Sequence, residues 1–161
     1  MQLLFSDKEI EDIEFPNKTI FLAGPSPRDS KTKGWRQEFI EKMRELGLND
    51  VSVFIPEPQD FFEGTKDLDP NFSYSNQIEW EHKGLEMAKY RVFYLARKLP
   101  DMMGLTTNIE FGYWFHKAPN SLLVGIPKDS DKNRYIEYIM KKQGLSIYRN
   151  MQEIIEKLRA I

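Results

Sequence analysis

Four short apolar runs constrain this chain more than any other feature: TIFLA at Thr19–Ala23, VSVFI at Val51–Ile55, YRVFYLA at Tyr90–Ala96 and SLLVGIP from Ser121. They are rich in β-branched and aromatic residues, and three of them end at Gly or Pro, as buried strands do. The segments between them change period. Trp35, Phe39, Met43 and Leu46 recur at helical spacing until Gly47 stops them, and helices are expected over Asn76–Lys89, Thr107–Lys117 and Lys132–Gln143. LSIYRN reads as a short fifth strand. Met151, Ile154, Ile155, Leu158 and Ile161 then form an amphipathic last helix, with Asn150 and Glu153 as its start signal. Strands alternating with helices predict parallel pairing with helices on both faces. At this length the pattern predicts a single α/β domain over 1–161, with 1–17 as an N-terminal extension. The expected architecture is a flavodoxin-like (Rossmann-like) three-layer sandwich around a central, mostly parallel five-stranded sheet.

Ligands of such sheets bind beyond the carboxyl ends of the strands. The loops that matter are then Gly24–Trp35, Pro56–Ser75, Arg97–Thr107 and Pro127–Lys132. The second is long for a compact domain, which marks it as functional.

Composition removes several classes of chemistry. The 161 residues include no cysteine, so disulfides, thiolate metal sites and Cys nucleophiles are absent. The two histidines, His82 and His116, belong to no H-x-x-H or H-E-x-x-H pattern, and no metal is expected. A net charge of −2 lacks the basic excess of a duplex-binding protein, so no nucleic-acid polymer is expected as a partner. No window reaches the ~18 consecutive apolar residues of a membrane span. The start, MQLLFSDKEIEDIEF, lacks the form of a signal peptide. A cytoplasmic protein without membrane partners is expected.

The first loop, AGPSPRDSKTKGWR, contains neither G-x-G-x-x-G nor a Walker pattern. Ser26, Arg28, Ser30 and Lys31 could nevertheless hold a phosphate or sugar hydroxyl through charge-assisted bonds, or form a solvated polar loop. On the helix expected over Asn76–Lys89, Glu79 and Glu81 flank Trp80, and residues two apart cannot both face one cleft. Trp80 suits either a stacking platform or the core. No G-x-S-x-G pattern points to acyl transfer.

Carboxylates are left as the plausible catalysts. Paired carboxyl groups suit glycosidic cleavage, in which one attacks the anomeric carbon and the other serves the leaving group. Glu110, in GLTTNIEFGYW, lies near a helix start, where the dipole favours the ionised form a nucleophile needs. The same TNIE segment matches a capping box, with Thr107 at the N-cap and Glu110 folding back at N3. The motif alone leaves both readings open.

In order, TIFLAGPSPR, Trp35–Arg36, PEP after the second strand, QIEWEHKGLEMA, LTTNIEFGYW and LLVGIP resemble the nucleoside 2-deoxyribosyltransferases, especially their divergent "nucleoside 2-deoxyribosyltransferase-like" branch. The pieces span roughly Thr19 to Pro127. The resemblance implies a flavodoxin-like, homo-oligomeric, cofactor-free enzyme that cleaves the N-glycosidic bond of a 2′-deoxynucleoside. The deoxyribosyl group would be held on Glu110 and passed to another base. Glu81, with Glu79 as fallback, and Asp101 would assist at the sugar or base. Phe21, Gly24, Ser26, Arg28, Thr107 and Asn108 would line the substrate site. Glu57 or Gln59 would contact the base edge, and Phe61, Phe62 or Trp80 its face. A retaining reaction of this kind places its two carboxyls about 5–5.5 Å apart.

The resemblance departs at two positions. Phe21 stands where the family carries a first-strand tyrosine that bonds the nucleophile, and Lys89 replaces a strand-opening aspartate. Related proteins hydrolyse the same bond in nucleoside 5′-monophosphates, holding the phosphate with the first loop, so this reaction is an alternative here. A non-catalytic nucleotide-binding or sensing module is another, since fold does not fix function.

Overall fold

A computed structural model describes residues 1–69 and 71–161. Six strands form one sheet: β1 (Gln2–Phe5), β2 (Thr19–Ala23), β3 (Ser52–Ile55), β4 (Tyr90–Tyr94), β5 (Leu122–Gly125) and β6 (Ile147–Tyr148). Their order is β1-β3-β2-β4-β5-β6, and every pairing is parallel. The helices are α1 (Trp35–Glu45), the short α2 (Gln59–Phe62), α3 (Tyr74–Met87), α4 (Leu105–Lys117), α5 (Arg134–Lys142) and α6 (Met151–Arg159). Without β1, the order is the flavodoxin one. The parallel α/β expectation therefore holds, with six strands rather than five. The extra strand lies inside the expected N-terminal extension, where Gln2–Phe5 pairs with Ser52–Ile55 along the edge of β3.

Two apolar layers flank the sheet. On one face Trp35, Phe39, Ile40 and Met43 of α1 pack with Ile154, Ile155 and Leu158 of α6 against Ile20, Leu22, Val53 and Val92. On the other, Trp80 and Leu85 of α3, Phe111 and Trp114 of α4, and Ile136 and Met140 of α5 cover Phe21, Phe54, Phe93 and Val124. Successive strand residues point to opposite faces, so continuous apolar runs fill both layers. The start signal of α6 is present: Asn150 Oδ1 accepts from the Glu153 N–H at 3.0 Å, and Glu153 Oε2 accepts from the Arg149 N–H at 2.7 Å.

The order reverses between β2 and β4, and their carboxyl ends open a crevice there. Gly24 makes that crossing possible. Its φ is 156°, and a Cβ would strike the Tyr94 carbonyl and meet the Trp35 ring at 2.8 Å. No described helix is long and apolar enough to cross a membrane.

Candidate active site

A cavity of about 550 Å³ occupies the crevice. Phe21 and Gly24 end β2 beneath it, the first loop adds Ser26 and Arg28, and α3 and α4 supply Glu81 and Glu110. Asp101 reaches it from the loop before α4, and Thr107 from α4 itself. Eight of the expected residues therefore share one space: Phe21, Gly24, Ser26, Arg28, Glu81, Asp101, Thr107 and Glu110. The first three expected loops contribute to it, and Pro127–Lys132 does not.

The capping-box reading of TNIE is corrected by where α4 starts. Gly104, in the left-handed region at φ 61°, is the N-cap, and Leu105 is the first helical residue. Thr107 therefore sits at N3 and is buried, while Glu110 lies in the second turn, beyond the reach of an N-cap N–H. A Cβ on Gly104 would meet Pro25 Cβ at 3.2 Å and Thr107 Oγ1 at 3.3 Å, which binds this turn closely to the first loop.

Glu110 also lies past the first turn, where the dipole acts most strongly. Its environment works against the charged form. Burial raises its pKa to about 7, the Glu81 carboxylate adds to the rise, and the Arg36 guanidinium opposes both. No hydrogen bond from a described residue holds its carboxylate. Burial likewise raises Glu81, against the hydrogen bond from Gln77 and the charge of Arg36. Two carboxyls with raised proton affinity in one crevice are the arrangement that acid–base and nucleophilic work requires.

Arg36 is the residue the sequence reading used only as part of a motif. It is 1% exposed. Its guanidinium donates to the Leu22 carbonyl at 2.9 Å, the Gly24 carbonyl at 2.7 Å, Ser26 Oγ at 2.9 Å and Glu57 Oε1 at 2.6 Å. It thus ties the end of β2 to the first loop and places a cation under the carboxylates. Its signal was position: a charged residue inside the apolar stripe of α1.

Other expected contacts lie elsewhere. Glu57 is buried beside Arg36 and outside the cavity lining. Gln59 is engaged by Lys8, Asp7 and Glu63. Asn108 accepts from Arg97. Glu79 is exposed and does not line the cavity, as the two-residue spacing from Glu81 requires. Trp80 belongs to the core, its ring 6.3 Å from that of Phe21 and its indole N–H donated to the Lys8 carbonyl at 2.9 Å. Phe61 is buried, and Phe62 packs on Phe5 with ring centroids 5.4 Å apart. The exposed aromatic at the cavity is instead Tyr74, with Phe72 edge-on to it at 5.5 Å. Phe21 contributes a ring to the floor, stacked with Phe54, and no hydroxyl toward Glu110. Among the described residues no group of three or more His, Cys, Asp and Glu is arranged to hold a metal.

A parallel sheet with a carboxylate-bearing cavity at its switch point defines a small-molecule protein of the doubly wound α/β class. The sequence narrows that class. The family described as "Nucleoside 2-deoxyribosyltransferase like" matches residues 17–130, and the chain belongs to it. No curated protein matches the chain. The matched segment runs from the residues before β2 to the loop after β5 and contains every cavity residue named above.

Proposed function

We propose that the protein cleaves the N-glycosidic bond of 2′-deoxynucleosides and transfers the deoxyribosyl group to another base through a covalent intermediate on Glu110. The observation that carries this reading is the shared cavity of Glu110 and Glu81, in which no described residue hydrogen-bonds the Glu110 carboxylate. In its ionised form Glu110 attacks C1′. The C1′–N bond breaks, its electron pair passes to the base nitrogen, and Glu81 or Asp101 supplies the proton. An incoming base then attacks C1′, the Glu110 carboxylate departs, and the acid regains its proton. Tyr74 offers a face for the base. No step calls for a metal or organic cofactor.

One observation favours a second reading. Ser26 and Arg28 line the cavity, with Arg36 bonded to Ser26, which suits a 5′-phosphate and hydrolysis of deoxynucleoside monophosphates. The two reactions separate by chromatography after incubation with 2′-deoxynucleosides, with and without a second base, and with the monophosphates. Base exchange is expected. Free base with free sugar phosphate supports hydrolysis, and no turnover across the panel supports a non-catalytic binding module. Glu110→Gln is expected to lower turnover by about 10³-fold or more. Undiminished turnover in that variant removes Glu110 from the chemistry.

The same reading includes a cytoplasmic homo-oligomer. Its support is an apolar surface on α3 and α4: Ile78, Leu105, Ile109 and Tyr113 are exposed beside a groove of about 310 Å³ that reaches Glu110.

A further inference from the structure

Arg36 and Glu57 form a buried ion pair behind the cavity, with Nη1 2.6 Å from Oε1. Anchoring Arg36 does not by itself call for a charge at position 57. The guanidinium also donates to the Leu22 and Gly24 carbonyls and to the Ser26 hydroxyl, so neutral acceptors serve three of its N–H groups. A buried pair is also weak evidence for stability, because desolvating two ions offsets much of their attraction. The charge of Glu57 therefore needs another reason.

The pair adjoins the two carboxyls of the site. Arg36 lines the cavity together with Glu81 and Glu110. Glu57 directly follows Pro56, and one nitrogen, Gln77 Nε2, donates to the Pro56 carbonyl at 2.9 Å and to Glu81 Oε1 at 2.7 Å. The segment after β3 is thereby tied to Glu81. The other charged or titratable groups around Glu81 and Glu110 are His82 on α3 and Arg28 and Asp101 in the cavity wall. An unpaired guanidinium beside two carboxyls favours the ionised form of both. With Glu57 opposing it, burial prevails at Glu81. Burial raises the Glu81 pKa and Glu57 adds to the rise, against the Gln77 amide, Arg36 and His82.

We propose that Glu57 is a positioning residue of this site, whose charge offsets Arg36 so that Glu81 keeps the proton it gives to the leaving base. This role rests on the glycosidic reading above, and it selects Glu81 rather than Asp101 as the acid. As Glu110 attacks C1′, the electron pair of the C1′–N bond passes to the base. The base takes the proton from Glu81, and a Glu81 carboxylate remains, held by the Gln77 amide.

The test is the pH profile of kcat/KM for 2′-deoxynucleosides in the wild type, Glu57→Gln and Glu57→Asp. The glutamine keeps an acceptor for Arg36 and removes the charge, whereas the aspartate keeps the charge and shortens its reach. The alkaline limb is expected to fall by about half a pH unit or more in Glu57→Gln and to stay in place in Glu57→Asp. A residue that merely anchored Arg36 would lower kcat/KM most in Glu57→Asp and leave the limb in place in both. An unmoved limb in Glu57→Gln overturns the role and leaves the glycosidic reading standing, with Asp101 as the acid. Carbon-13 NMR of the glutamate-labelled wild type needs neither turnover nor a folded Glu57→Gln. The Glu81 carboxyl, identified by its loss in Glu81→Gln, is expected to titrate above the range of an ordinary glutamate, and titration within that range overturns the role. A raised Glu81 titration that falls in Glu57→Gln, without turnover of any nucleoside or monophosphate, supports the role of Glu57 and removes the glycosidic reading.

Discussion

Glu110 holds its proton up to about pH 7 because it is buried beside Glu81 with only Arg36 in opposition. A nucleophile must be ionised while the acid that serves the leaving base keeps its proton, so kcat/KM is expected to be bell-shaped in pH, rising as Glu110 ionises and falling again as the acid loses its proton. A profile flat from pH 5 to 8 would show that this ionisation is not required. The same shift has a cost in stability. The unfolded chain releases this proton near pH 4.5 and the native state near pH 7, so between those values the native state binds more protons. Stability from this group therefore falls as pH rises from about 4.5 to 7 and is constant above. Glu110→Gln removes that loss. Relative to wild type, the variant is expected to gain on the order of 1 kcal/mol at pH 8, about 2–4 °C in Tm, and almost nothing at pH 4.5. Thermal unfolding at the two pH values measures the difference. An equal effect at both would place the carboxylate in water. Residue type alone could not separate these positions: Glu79 and Glu81 are chemically identical, and the turn of α3 puts only Glu81 at the cavity.

At the scale of elements, the N-terminal segment supports the site from behind. β1 covers the outer edge of β3, Ile10 is buried against the layer under α3, and the Lys8 carbonyl receives the Trp80 indole N–H. Deleting residues 1–10 uncovers the β3 edge, empties the place of Ile10 and leaves the indole donor unpaired. The loss is expected to reach roughly 3–5 kcal/mol, read as a fall of about 6–15 °C in Tm. A truncated chain of unchanged Tm would mean that β1 is dispensable. The five other strands were legible because their runs stand out from their neighbours. β1 is four residues long and lies next to an acidic stretch. Its partner is about 50 residues away, so nothing local distinguishes it. α4 shows the same limit. TNIE has the form of a capping box, yet the left-handed Gly104 starts the helix earlier and carries Glu110 round to the cavity.

At the scale of the whole molecule, the outer faces of α3 and α4 leave Ile109 76% and Leu105 66% exposed, close to the groove that reaches Glu110. Covering that face with a second copy would bury apolar surface and close one side of the site. Light scattering after size exclusion is expected to give a multiple of the chain mass, and Ile109→Glu to return the monomer with at least about tenfold lower kcat/KM. A wild-type monomer at working concentration would remove the oligomer from the functional reading.

The layered, parallel α/β architecture was already determined by the sequence, because it depends on local periodicity: continuous apolar runs, amphipathic helical segments and the Gly and Pro that separate them. Glu110 could also be singled out there, as a carboxylate near a helix start in a family-like setting. Tertiary structure alone decided which polar groups meet. Trp80, Gln59 and Asn108 are suited by type to a ligand, but distant parts of the fold already satisfy them. Gln77 and Arg36 acquire their partners only when the ends of β2 and β3 meet α1 and α3 at the switch point. The physical reason is range. Periodicity is set by a few neighbouring residues, whereas a site is an intersection of loops brought together by contacts tens of residues apart.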